Sequence, residues 1–147
     1  MNVDLFIGTN LFVYAHDSRI GPKHERATAF LTSLWERDLV PVISIQVLQE
    51  LHVSLVRKGH RPTQSIEICE FYLAWRVVEN TRRVLRQAFE EQRRWQLSFW
   101  DALILTTARR GGARVLWSED FSDRQDYGGV VAVNPFAIEN PLDNLLP

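Results

Sequence analysis

Cysteine, lysine and long apolar runs are scarce in this sequence of 147 residues. Cys69 is the only cysteine, which excludes an internal disulfide and a zinc site built from several cysteines. No stretch approaches the roughly 20 apolar residues of a membrane-spanning helix. The first apolar run, Val3 to Ile7, is also too short for the core of a signal peptide. These absences favour a chain that works in the reducing cytoplasm.

A marked excess of one charge is also absent. The net charge is −1, so nucleic acid could be bound only through a local patch. Of the 17 basic residues only Lys23 and Lys58 are lysines. Arginine is suited to bidentate contact with phosphate or carboxylate groups, although codon bias would produce the same excess.

Internal repeats and low-complexity segments are absent too, and the composition is that of a globular protein. Hydrophobic residues make up 46% of the chain and charged residues 24%. The length fits a single domain over 1–147 with one hydrophobic core. We expect the tail from about 137 to 147 to be irregular.

Short apolar runs alternate with amphipathic segments along the chain. We predict strands at 3–7, 40–43, 76–78, 114–117 and 130–133. We predict helices at 11–15, 23–37, 45–57, 63–75, 80–96 and 98–110. Because strands alternate with helices, the fold class is α/β, with a mainly parallel five-stranded sheet flanked by helices on both faces.

Side-chain type and position predict where the helices begin. The predicted N-caps are Thr9 or Asn10, Ser44, Thr63, Asn80 and Ser98. Pro41 cannot donate a backbone hydrogen bond, so the second strand is expected to lie at an edge of the sheet or to be short.

Three carboxylates, Glu50, Asp101 and Asp120, are predicted to converge. In a parallel sheet ligands gather beyond the carboxyl ends of the strands, where Gly8 and Asp120 follow strands one and four. Glu50 lies on the helix after strand two, and Asp101 opens the helix that leads into strand four. Carboxylates are ligands of Mg²⁺ and Mn²⁺, and these ions can activate water for phosphodiester hydrolysis. The pattern therefore indicates a metal-dependent hydrolytic site.

Each of these carboxylates also has a structural explanation. Asp101 lies three residues after Ser98, which fits a capping box and complements the helix dipole. Glu50 could be an exposed or ion-paired residue of its helix, and Asp120 could stabilise the turn after a strand. On residue types alone both explanations stay open.

Other polar and aromatic residues also have both a functional and a structural explanation. The arginines of helix 80–96 could contact an RNA backbone, or they could form a solvated face together with Glu90 and Glu91. These arginines are Arg82, Arg83, Arg86, Arg93 and Arg94. The four histidines have no ligand spacing, and the five tryptophans are expected to fill core and interfaces rather than stack on bases. A packing role is expected for Cys69.

Several segments, in their order and spacing, resemble the PIN-domain nucleases and, within that family, the VapC-type toxins of prokaryotic toxin-antitoxin modules. The matching segments are 6–15, 49–51, 99–104, 118–121, 128–130 and 134–136. The resemblance implies a PIN-like three-layer fold with a pocket of four acidic residues that binds Mg²⁺ or Mn²⁺ and cleaves RNA. It also implies a homodimer and a cognate antitoxin whose tail enters the pocket.

Carried over position by position, the resemblance implies that Glu50, Asp101 and Asp120 are the second, third and fourth acids. The supporting and outer residues that it implies are Thr9, Asn10, Ser118 and Asp123. The first acid is missing, because Gly8 stands where the family has aspartate. A glycine supplies no ligand, so weakened metal binding and strongly reduced RNA hydrolysis are expected.

Two other interpretations remain beside an attenuated ribonuclease. A point replacement or natural degeneration at position 8 could leave a non-catalytic module that binds an antitoxin, or RNA through Arg82, Arg86 and Arg93. A phosphate-accepting receiver domain is disfavoured, because that class needs a lysine late in the chain and both lysines here precede strand three.

Overall fold

Every predicted strand and helix has a counterpart in the computed structural model, which describes residues 1–137. The strands are β1 (Asn2–Ile7), β2 (Val40–Ser44), β3 (Arg76–Val78), β4 (Val115–Trp117) and β5 (Val131–Val133). The helices are α1 (Thr9–Ala15), α2 (Pro22–Glu36), α3 (Ile45–Arg57), α4 (Pro62–Leu73), α5 (Arg82–Trp95) and α6 (Phe99–Arg110). The irregular tail predicted from the sequence lies almost wholly at 138–147, outside the described residues.

The five strands form one parallel sheet in the order β3-β2-β1-β4-β5. β1 lies at its centre, where Leu5, Phe6 and Ile7 are fully buried. A continuous apolar run of this kind is expected where helices cover both faces of a sheet. The predicted α/β class with a parallel sheet flanked by helices is confirmed.

The strand order reverses at β1, which places a crevice between the carboxyl ends of β1 and β4. From β1 the chain builds outward through β2 and β3 on one side, and it returns to add β4 and β5 on the other. The backbone N–H of Gly8 donates to the carbonyl oxygen of Trp117 (2.9 Å), so the two strand ends lie side by side. This reversal is the place where parallel sheets usually bind ligands.

Pro41 lies in an interior strand, so the edge position predicted for β2 is wrong. β2 pairs with both β3 and β1. Its register against β1 shifts between the pairs Asn2–Val40 and Phe6–Val42, and Pro41 falls within this irregular interval. The missing N–H is tolerated because no regular ladder bond is lost there. β2 has 5 residues, an ordinary strand length, so Pro41 did not shorten it either.

The two N-caps nearest the acidic residues are confirmed. Ser44 Oγ accepts a hydrogen bond from Val47 N at the start of α3 (3.3 Å). Ser98 Oγ accepts one from Asp101 N at the start of α6 (3.2 Å). Each hydroxyl satisfies a backbone donor that has no partner within the first helical turn.

The N-cap predicted for α1 is wrong. α1 begins directly after Gly8, which makes no side-chain capping bond, so Thr9 and Asn10 lie inside the first turn. The side chains of Thr9 and Asn10 donate hydrogen bonds to other elements of the fold rather than to their own helix, so neither caps α1.

The caps predicted for α4 and α5 are also wrong. Arg61 precedes α4 because Pro62 occupies the first helical position, where its missing N–H costs nothing, and this leaves Thr63 inside the helix. α5 is capped by the hydroxyl of Thr81 rather than by Asn80. None of the helices in residues 1–137 has the length and apolar character needed to cross a membrane.

Candidate active site

A polar pocket of about 100 Å³ opens at the carboxyl edge of the sheet. The acids predicted for the site, the glycine in place of the first acid and three supporting residues line this pocket: Gly8, Thr9, Asn10, Glu50, Asp101, Ser118 and Asp120. Elements far apart in sequence therefore deliver their side chains to one place, as the parallel topology predicts.

The corner of the pocket that follows β1 carries no side chain. Gly8 is buried, with φ −73° and ψ 167°, an extended conformation that any residue adopts. A Cβ at this position would lie 3.1 Å from the carbonyl oxygen of Trp117 and 3.7 Å from Ser118 Cβ. A side chain is therefore accommodated if the Trp117 carbonyl moves by a few tenths of an ångström.

Glu50 is oriented from the facing helix. Thr9 Oγ1 donates to Glu50 Oε1 at 3.0 Å, which ties the first turn of α1 to α3. Burial raises the pKa of Glu50, and the negative charges of Asp101 and Asp120 raise it further against the lowering effect of hydrogen bonds from Thr9 and Gln46. The carboxyl group therefore lies in a pocket that already holds like charge.

Asp101 and Asp120 each combine a local structural role with a place in the pocket. The backbone N–H of Asp101 is capped by Ser98, and that of Asp120 donates to Ser118 Oγ at 3.1 Å in the turn after β4. Ser98 supplies its half of the predicted capping box, and Asp101 lies in the first turn of α6, where its charge complements the helix dipole. The side chains of Asp101 and Asp120 line the pocket. Burial, followed by the charge of Asp101, raises the pKa of Asp120.

Glu119 is a residue beside the site that the motif analysis did not select. Asn10 Nδ2 donates to Glu119 Oε1 (3.2 Å), and Tyr14 Oη donates to the same oxygen. Lys23 Nζ donates to Glu119 Oε2 at 2.9 Å. Burial and the hydrogen bond to Glu119 raise the pKa of Tyr14 to about 12. This network holds the turn that carries Asp120 against α1.

Gln46 is a second such residue. It lies one helical turn before Glu50 and is only 4% exposed, and its Nε2 donates to the backbone oxygen of Trp100 at 3.3 Å. Gln46 therefore connects the helix that carries Glu50 to the first turn of the helix that carries Asp101. Its spacing of four residues from Glu50 was the available signal in the sequence.

The sequence also matches the model of a known protein family. The model of the PIN domain family matches residues 5–123, which include Gly8 and all three carboxylates. The chain belongs to the PIN domain family. No curated protein sequence matches it.

Solved structures similar to this PIN domain are toxins and toxin-antitoxin complexes. VapC20 of Mycobacterium tuberculosis, a toxin that cleaves the sarcin-ricin loop, is 25% identical, with a TM-score of 0.58 over 79% of this chain and 89% of that one. A toxin-antitoxin complex from Klebsiella pneumoniae is 19% identical, with a TM-score of 0.63 over 90% and 98%. VapBC2 of Rickettsia felis, bound to a promoter DNA fragment, is 18% identical, with a TM-score of 0.60 over 91% and 100%. The predicted resemblance to VapC toxins is confirmed.

The oxygen donors that line the pocket suit a hard divalent cation, but its carboxylates are not closely grouped. Three carboxylates that share one pocket repel one another, and this repulsion contributes to the raised pKa values of Glu50 and Asp120. A cation would relieve it. Within residues 1–137, however, no three His, Cys, Asp or Glu side chains are grouped closely enough to hold a metal ion. The corner at Gly8 is where this PIN domain lacks a carboxylate.

Several predicted residues are not brought to the pocket. Arg82, Arg86 and Arg93 are exposed on α5 and line no part of it. Asp123 Oδ1 instead accepts a hydrogen bond from Asn134 N at 2.8 Å, after β5.

Proposed function

We propose that this PIN domain is a metal-dependent endoribonuclease of the VapC toxin type, with hydrolysis attenuated by Gly8. The observation that carries the proposal is that Glu50, Asp101 and Asp120, from α3, α6 and the turn after β4, line one polar pocket. A ribonuclease of this class hydrolyses a phosphodiester bond of RNA, so that one product carries a 5′ phosphate and the other a 3′ hydroxyl.

The residues of the pocket have separable roles in this proposal. Asp101, Asp120 and Glu50 would hold Mg²⁺ or Mn²⁺, because carboxylate oxygens are the ligands these ions prefer. When bound, the ion activates water and neutralises charge on the phosphate. Thr9 keeps Glu50 turned toward the pocket, and Ser118 fixes the backbone of Asp120.

The similar solved structures also support a proposal about the binding partners of this chain. The Klebsiella pneumoniae neighbour is a toxin-antitoxin complex, and VapBC2 was solved bound to a DNA fragment from its promoter. We therefore propose a cognate antitoxin that blocks the pocket, an RNA substrate, a homodimer and a cytoplasmic location.

Restoring the first acid tests the proposal. Gly8→Asp should raise Mn²⁺-dependent cleavage of single-stranded RNA by on the order of 10²-fold, the upper end of the change expected when a residue that supports a metal site is altered. Gly8→Ala is the matched control, because it adds the Cβ without the carboxylate and should stay as slow as the starting protein. Isothermal titration with Mn²⁺ should show tighter binding for Gly8→Asp alone.

Two further results decide the outcome. Asp101→Asn in the Gly8→Asp background should abolish both the regained cleavage and the Mn²⁺ binding. The nuclease proposal fails if Gly8→Asp is inert and Asp101→Asn leaves metal binding unchanged.

A non-catalytic binding module is the second candidate function. It is favoured by the absence of a carboxylate at Gly8 together with the exposed arginines of α5. RNA affinity without turnover, in both the starting protein and Gly8→Asp, would support this candidate over the first.

A further inference from the structure

Beside the acidic pocket, the surface opens into a groove of about 380 Å³ along α3. We call it the α3 groove and define it by Glu50, Val53, Arg57 and Trp100. Glu50 and Trp100 also line the acidic pocket, so the two openings are continuous. A ligand whose reacting bond lies at the carboxylates would therefore extend into the α3 groove.

One wall of the α3 groove is an exposed tryptophan. Trp100 is 63% exposed although it adjoins Asp101. Its backbone is held by the hydrogen bond from Gln46, and its ring packs edge-on against Phe99 with the ring centroids 5.0 Å apart. The indole packs against one neighbouring ring and still presents apolar surface to solvent.

The opposite wall is one face of α3. Glu50, Val53 and Arg57 recur at spacings of three and four residues, which places them on the same side of the helix. Val53 is 51% exposed, and Arg57 is exposed in the last turn. Two helical turns, about 10 Å, separate Glu50 from Arg57. The α3 groove therefore has a carboxylate at one end, a cation at the other, and apolar surface between them.

We propose that the α3 groove is a nucleotide subsite that binds one unpaired base of an RNA strand next to the cleaved bond. The base stacks on the indole of Trp100, Val53 contacts its edge, and Arg57 binds a phosphate of the same strand. This subsite rests on the proposed function, since it takes the acidic pocket as the place of the reacting phosphodiester.

The arrangement of charge favours a nucleotide over a second copy of this chain. A nucleotide has a flat base and a negative phosphate, which match Trp100 and Arg57. A protein surface seated in the same place would have to neutralise Glu50 and Arg57 as well as cover the indole. Only an unpaired base exposes its full face to such a ring, so the substrate is single-stranded at this position.

Equilibrium binding of a labelled single-stranded RNA oligonucleotide to the full chain, in EDTA so that no cleavage occurs, tests the subsite. Trp100→Ala should weaken binding roughly 5- to 150-fold, the range expected for loss of one stacked base. Trp100→Phe retains an aromatic ring and should keep most of the affinity. Trp35→Ala is the matched control, because Trp35 is 77% exposed on α2 and lines a different groove.

Three results would overturn the subsite. Trp100→Ala could bind the oligonucleotide as tightly as Trp35→Ala does. It could weaken binding of a blunt RNA duplex as much as binding of the single strand. Sedimentation equilibrium could also show that Trp100→Ala converts a dimer to a monomer with unchanged RNA affinity per protomer, which would make a second copy the occupant.

Failure of the subsite can be distinguished from failure of the proposed function. If Gly8→Asp cleaves RNA while Trp100→Ala binds it normally, only the subsite is wrong. If Gly8→Asp is inert and the starting protein binds no RNA, both are wrong. Circular dichroism of Trp100→Ala and Trp100→Phe checks that these exposed positions leave the fold intact.

Discussion

At the scale of single residues, Gly8 is unusual because it stands where the family has aspartate. Its backbone conformation, in contrast, is one that any residue adopts. Its φ of −73° does not require glycine, and the only close contact that a Cβ would meet is the carbonyl oxygen of Trp117. The fold therefore gains nothing evident from the lost carboxylate. Three acids still repel one another around the pocket, so the electrostatic conditions for cation binding persist with one ligand fewer.

This repulsion predicts a pH-dependent stability. Because burial and the neighbouring carboxylates raise the pKa of Glu50, the folded chain keeps a proton that the unfolded chain has already lost as pH rises above the ordinary value of 4.5. The free energy of unfolding therefore falls as pH rises through that window. Glu50→Gln removes the cost of the charge while its amide oxygen can still accept from Thr9.

We expect Glu50→Gln to be more resistant to urea than the starting protein at about pH 7, and equal to it at about pH 3, where the Glu50 carboxyl is neutral in the folded and the unfolded chain alike. Urea unfolding in EDTA at the two pH values measures this. A variant that is less stable at neutral pH would mean that the negative charge of Glu50 stabilises the fold. Adding Mn²⁺ should stabilise the starting protein more than Glu50→Gln.

The acids of the site that the sequence revealed follow a strand, open a helix, or lie on the helix that follows a strand. Glu50, Asp101 and Asp120 are located by topology, since parallel strands bring their ends together. Glu119 was missed because the groups that it holds, on Asn10, Tyr14 and Lys23, lie roughly 100 residues away in sequence, and no local pattern records such a network. Trp100 was expected to fill core or an interface, as Trp117 does at 1% exposure, and only the structure shows its exposed face.

At the scale of elements, sequence patterns located the strands and helices more accurately than the helix caps. β3 has the predicted bounds, and β4 and β5 each begin one residue later than predicted. Hydrophobic periodicity reports which residues face the core, so it identifies elements well. A cap depends on the residue at which the chain turns, and adjacent candidates such as Asn80 and Thr81 cannot be ranked by side-chain type alone.

The pair Asn80 and Thr81 gives a direct test of α5. Thr81 Oγ1 accepts from Val84 N at 3.2 Å, so Thr81→Ala should lower the free energy of unfolding by about 1 kcal/mol. Asn80→Ala is the matched control and should change it by less than about 0.5 kcal/mol, because Asn80 is exposed outside the helix. Urea unfolding measures both, and an equal loss in the two variants would contradict the assignment of Thr81 as the cap.

At the scale of the whole molecule, charge is distributed so that acids occupy the pocket and arginines occupy an outer helix. α5 packs on α6 through Val84, Ala88 and Leu103, which leaves Arg82 and Arg86 exposed on its other side. Glu91, which lies among these arginines in the sequence, pairs with Arg109 on α6 at 2.8 Å. With a net charge of −1, any attraction for RNA must come from such a local group.

The salt dependence of RNA binding decides whether this group contacts phosphates. Each phosphate contact with a single strand contributes about 0.7 to the slope of log affinity against log salt concentration. If all three arginines bind phosphate, Arg82→Glu, Arg86→Glu and Arg93→Glu together should reduce that slope by about 2. Arg86→Glu alone should weaken binding more than Arg61→Glu, a matched change at an exposed arginine before α4. Equal effects of these two single variants would mean that the arginines of α5 form a solvated face, and that RNA is recognised through the acidic pocket and its adjoining groove.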